Sequence, residues 1–101
     1  MSAEIIQAEY ELLEQVSSKF TQQSDELQQM VQMLRGHVDN LQNEWLGDAS
    51  VAFNTEMADM ILPSGDRMFE AFAEAGEITQ RIAELLSAAE EDAQNAFNVL
   101  A

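Results

Sequence analysis

Between Ala3 and Leu46 the chain has no proline and a single glycine, Gly36, in a stretch dominated by Glu, Gln, Leu and Met. These are good helix formers, so the stretch predicts one long helix over about 3–46. Ile6, Leu13, Phe20, Leu27, Leu34 and Leu41 follow one another at intervals of seven, and Tyr10, Val31, Val38 and Trp45 each stand four residues after a member of that series. Such a stripe occupies one face of a helix and demands a helical partner. At 1.5 Å per residue the segment would run roughly 65 Å, longer than the helices of a compact domain, so a rod is expected.

Trp45 to Ser50 is the strong turn signal. Gly47 suits the positive φ of a residue closing a helix, and Asp48 or Ser50 suits an acceptor for the free N–H groups of the next helix. A turn at 47–50 so short makes the flanking helices antiparallel. The second helix, about 49–97, carries Phe53, Met57, Met60 and Ile61 inward, then meets Leu62, Pro63, Ser64, Gly65 and Asp66. Proline lacks a donor and disfavours helical geometry before it, which predicts a break near 62–66 recapped by Ser64 or Asp66. Beyond it, Phe72, Thr79, Leu86, Ala93 and Leu100 form one heptad line, and Met68, Ala75, Ile82, Ala89 and Ala96 its companion.

The expected fold is a single all-α domain over 1–101, an antiparallel helical hairpin. Two helices alone leave part of each stripe wet, so dimerisation into an elongated four-helix bundle, with crossing angles near ~20°, is expected to cover it. The expected core of that bundle is Ile6, Leu13, Phe20, Leu27, Leu34, Leu41, Phe72, Ile82 and Leu86.

Nineteen acidic against four basic residues give a net charge of −15, which opposes nucleic acid and anionic lipid as partners. No apolar run reaches the ~20 residues of a membrane span, so no membrane insertion is expected. The first residues lack a basic region and place Glu4, Glu9 and Glu11 where a signal peptide needs an apolar stretch, so no cleaved signal is expected. Glu70, Glu77, Glu84 and Glu91 recur every seven residues on the predicted water face, whereas catalytic or metal-binding carboxylates must converge inward. His37 is the only histidine and there is no cysteine. No catalytic residue, metal ligand or cofactor is expected, and the chain reads as a non-enzyme. Met33 falls between stripe positions and is the methionine best placed for a contact outside the bundle.

A chain of this length with Trp45-Leu46-Gly47 at its midpoint, between two heptad-bearing helices, resembles the hundred-residue WXG family, the early-secreted-antigen-like proteins of bacterial type VII secretion. The resemblance implies that Trp45 and Gly47 form the turn motif and an export signal. The family's C-terminal pattern, hydrophobic-x3-acidic-x2-hydrophobic-x3-hydrophobic, fits Leu86, Glu90, Ala93 and Phe97. The tyrosine that often precedes the acidic residue there is missing, since none follows Tyr10.

The resemblance further implies a protein made in the cytoplasm and secreted folded, as a dimer, without a cleaved signal peptide. The machine would be a type VII (ESX-like) system driven by a membrane-bound ATPase, with this chain as substrate or adaptor. A homodimer is the expected pairing. Two chains at −15 would repel one another, which keeps a heterodimer with another, less acidic WXG protein as the alternative. Heptads and charge by themselves would equally serve a non-exported acidic helical scaffold or adaptor in the cytoplasm.

Overall fold

In the computed structural model, which describes residues 3–100 and, within them, the side chains of all but Ala3 and Ile6, a run free of proline from Ala3 to Glu44 is one unbroken helix, α1. After the turn come α2 (Asp48–Glu56), a π-helical turn (Met57–Ile61) and α3 (Leu62–Leu100). The protein is all-α, two long helical arms in a hairpin. It packs as two units, residues up to Thr21 with those from Glu74 onward, and Gln22–Ala73.

In the first unit α1 and α3 run antiparallel, and their contact is small and polar. Ser17, which follows Leu13 by four residues, fills a stripe position where an apolar residue would be looked for. Its buried hydroxyl donates to the Gly76 carbonyl at 2.8 Å. A Cβ built on Gly76 would lie 2.9 Å from Thr21 Oγ1 and 3.2 Å from the Ser17 carbonyl oxygen, so glycine is what lets the backbones approach this closely. Ala83 is completely buried one heptad further along. Leu13, Phe20, Thr79 and Leu86 flank this line half-buried. The Tyr10 phenol is raised above its ordinary pKa, chiefly by its hydrogen bond with Glu14, then by partial burial and the charges of Glu14 and Glu84.

The second unit repeats the device and adds an apolar core. Ser24, again buried, donates to the Phe69 carbonyl at 2.6 Å, and Val31, Val38, Met57 and Leu62 cluster beyond it. Gly65 faces Val31, whose Cγ2 would stand 2.7 Å from an added Cβ. On one flank Arg35 donates both guanidinium arms to Asp66, one at 3.0 Å to Oδ1. That hydrogen bond holds the Asp66 carboxyl below its usual range and raises Arg35. Two fork-like charge-assisted bonds fix orientation, though both partners stay wet enough for the energy to be small.

In the first unit the seam thus runs through Tyr10 and Ser17 on α1 and Gly76 and Ala83 on α3, and in the second through Ser24, Val31 and Val38 on α1 and Leu62 and Phe69 on α3. Of the expected core, Leu13, Phe20, Leu27, Phe72 and Leu86 are half-buried along it, while Leu34 and Leu41 stay largely exposed in the single chain. Ile6 lies outside the described side chains. Ile82 stands 49% exposed, because the companion line on α3 is the one four residues after Phe72 and Thr79, not three. Glu70, Glu77, Glu84 and Glu91 all face water.

Helical geometry continues through 62–66, where a break was expected. The adjustment lies one turn earlier: the Leu62 N–H bonds the Met57 carbonyl, five residues back. This widened turn ends where Pro63 removes the next donor, and a proline second in α3 is tolerated because first-turn donors have no α-helical acceptor. Neither expected recapping residue serves as a cap. The Ser64 hydroxyl donates backward to the Met60 carbonyl at 2.6 Å, and Asp66 is held by Arg35.

The glycines separate packing from propensity. Gly36 has open space around an added Cβ, so Gly36→Ala should stabilise the fold by about 0.5–1 kcal/mol. Gly76→Leu should cost about 1–3 kcal/mol by forcing the backbones apart. Denaturant titration of the two variants checks both signs. Because the Asp66 pKa is depressed on folding, its stabilising contribution is present above the ordinary carboxylate range and disappears as pH falls through its folded value. Thermal melts of wild type and Asp66→Asn should accordingly differ at neutral pH and converge in acid.

Candidate functional site at the interhelical turn

The turn is built by one residue that only glycine can be. Gly47 has φ 116 and ψ 177, a region closed to side chains, and it carries the sole positive φ among the described residues. An added Cβ would meet nothing within 4 Å, so the requirement for glycine is conformational rather than steric. α1 closes with the Trp45 N–H on the Leu41 carbonyl at 2.8 Å, and the next helix opens with the Val51 N–H on the Gly47 carbonyl at 3.1 Å.

No side chain caps that helix start. Ser50, expected as an acceptor for free N–H groups, does the reverse: its buried hydroxyl donates to the Trp45 carbonyl at 2.7 Å, satisfying an acceptor freed at the end of α1. Asn54 Nδ2 then donates to Ser50 Oγ at 3.2 Å. The Asn54 carboxamide oxygen is buried without a hydrogen-bond partner. The chain Asn54, Ser50, Trp45 thus ties the turn together from beneath.

The Trp45 ring leans on Phe53, centroids 5.5 Å apart at 55°, and stays 36% exposed. Leu46 is 83% exposed beside it. Gln42, Trp45, Leu46, Val51 and Thr55 rim a shallow hollow of about 290 Å³. Trp45 does not close a core. Its ring stays partly in water at the turn.

The four residues of the C-terminal pattern lie on the first unit's α3 and share the seam's spacing. Leu86 is half-buried, and Glu90 is half-buried in a groove with Glu4, Gln7, Ala8 and Glu11. The register set by Ser17 and Gly76 brings Ala3 level with Glu90. Ala93 is exposed, and Phe97 is 75% exposed. Two members of the pattern are thus half-buried and two exposed. The serines at 17 and 24 were not anticipated, and they are recognisable only as polar residues occupying stripe positions; Ser50 was, in the opposite hydrogen-bonding role.

Among the described residues no group of three or more His, Asp or Glu side chains could hold a metal ion, and no helix is long and apolar enough to cross a membrane.

Gly47→Ala should cost about 1–3 kcal/mol through backbone strain alone. Phe97→Ala, which removes little packing, should shift stability by less than about 0.5 kcal/mol. Paired denaturation curves measure both.

Neither curated proteins nor solved structures yield a match to this chain. Residues 5–96, spanning both arms and the turn with Trp45-Leu46-Gly47, match the family WXG100, described as proteins of 100 residues with WXG, and the chain belongs to that family.

Proposed function

We propose that this chain is a small non-enzymatic WXG protein exported folded, as a dimer, by a type VII (ESX-like) secretion system, as its substrate or adaptor. The observation that carries the reading is the family match over 5–96 together with a tryptophan held exposed at a glycine-locked turn. In this reading the protein is made in the cytoplasm, is recognised through a membrane-bound ATPase, and leaves without a cleaved signal peptide. Trp45 and Gly47 supply one recognition element. Leu86, Glu90, Ala93 and Phe97 supply a second, with Phe97 as its accessible member.

Dimerisation is supported by how little the single chain buries. Among the described residues the buried apolar ones are Val31, Val38, Met57, Leu62 and Ala83, and no large side chain is fully buried. A hundred-residue domain with so slight a core depends on further burial for its stability. A homodimer is the reading preferred here, and a second WXG chain as partner is the alternative.

Secretion of wild type, Trp45→Ala and Phe97→Ala should be compared in culture filtrate and lysate, with circular dichroism and sedimentation on the same proteins. Both variants should accumulate in the cell several-fold over wild type while remaining folded dimers. Trp45→Ala should cost less than the ~3–5 kcal/mol of a fully buried tryptophan, since its ring is partly exposed. Wild type retained wholly in the lysate of a host with an active type VII system would instead support a cytoplasmic scaffold.

A further inference from the structure

The first unit has two unlike flanks. On one, polar grooves run beside the seam, lined by Ser17, Thr21, Gly76, Glu77, Gln80 and Arg81 and, further along, by Glu4, Gln7, Glu11 and Glu90. On α1 the opposite flank, turned roughly 100° to the other side of Ser17 by the helical repeat, carries Glu9, Leu12, Val16 and Lys19. On α3 the matching flank carries Ala75, Ile78, Ile82, Leu85 and Ala89. Leu12 is 60% and Leu85 69% exposed, and Ile78 and Ile82 are about half exposed. Contiguous apolar surface of this kind on one side of a soluble helix pair marks an interaction face.

The charges on this flank say what covers it. Glu9, Leu12, Val16 and Lys19 are exposed and spaced three, four and three residues apart, one charge of each sign at the ends and two apolar residues between. Such a segment is complementary to itself read backwards. When it is laid antiparallel on a copy about a two-fold axis, Glu9 meets Lys19 of the copy, Leu12 meets Val16, and the mirror contacts repeat both pairs. Two-fold interfaces have this self-complementary form. Lys19 is also the only lysine in a chain of net charge −15, so a carboxylate opposite it relieves a repulsion that an acidic pair otherwise accumulates.

We propose that a second copy of this chain packs on the flank bearing Glu9, Leu12, Val16, Lys19, Ile78, Ile82 and Leu85, with the α1 segments antiparallel and Glu9 paired to Lys19 across the two-fold axis. This rests on the dimer of the proposed function and specifies its face and register. The polar flank, with its grooves, stays in water.

Charge exchange tests the register. Glu9→Lys and Lys19→Glu each place two like-charge contacts in the interface and should each raise the dimer dissociation constant about ten-fold, measured by sedimentation at low ionic strength. The two changes act oppositely on net charge, so general repulsion would make Glu9→Lys tighten the dimer. The double variant Glu9→Lys with Lys19→Glu keeps the net charge and should return to within about two-fold of wild type. All three substituted positions are exposed, and unchanged circular dichroism verifies that the fold is intact. A double variant no tighter than the single ones overturns the register. So does rescue of Lys19→Glu by Glu44→Lys, which would place the two-fold axis elsewhere on α1. Wild type that stays monomeric alone and associates only with a different chain overturns the self-pairing. Because purified protein is measured, none of these outcomes depends on whether the chain is exported.

Discussion

The approach of the two arms is set by hydroxyl-to-carbonyl bonds at places where side chains are too small to keep backbones apart. Ser17 reaches the Gly76 carbonyl in one unit and Ser24 the Phe69 carbonyl in the other. A buried hydroxyl without a partner would cost about 1–3 kcal/mol, so sliding the arms out of register is penalised twice, by the orphaned donor and by the clash that replaces glycine with a larger neighbour. An all-leucine seam would bury more area yet tolerate many registers. Two serines and a glycine trade some hydrophobic burial for one alignment, the use of buried polar groups best attested in helical assemblies.

That trade explains what the rest of the surface does. Small seam residues leave the larger apolar side chains on the flanks: Met30, Met33 and Met68 in the second unit, Leu12, Ile78, Ile82 and Leu85 in the first. Roughly 25 cal/mol of driving force per Å² of apolar surface remains unused while these are in water. The acidic heptad of Glu70, Glu77, Glu84 and Glu91 keeps another face wet and makes association selective rather than general. A narrow polar seam within the chain and a broader apolar flank outside it are thus two consequences of one residue pattern.

Much of this was legible in the sequence because period and breaker residues are local signals. The arms, the turn at Gly47 and the antiparallel order follow from a long stretch with one glycine and from the heptads. The contact within the chain falls on Phe69, Gly76 and Ala83, one position beyond Met68, Ala75 and Ile82, because close approach at Gly76 and Ala83 is a matter of size that hydrophobicity does not signal. Pro63 was read as a break because its own missing donor is local information; the π-helical turn that absorbs it depends on Met57 and Leu62 packing on Val31 and Val38. At the site, Gly47 declared itself through its residue type, whereas the inverted role of Ser50 depends on the Trp45 carbonyl arriving beside it, which only the closed turn provides.

At the turn a residue that could serve packing is held partly outside it. A tryptophan that served only packing would be expected to sink into the seam, since burying its ring is worth more than any other side chain in the chain. Instead the φ of Gly47 and the bond from Ser50 fix the backbone where the indole leans on Phe53 and stays 36% exposed. The buried Asn54 oxygen without a partner adds to the cost of this arrangement. An orphaned acceptor and a partly exposed aromatic oppose stability at the same few residues. A chain with so small a core carries these costs at the turn whose tryptophan and glycine the WXG family description names.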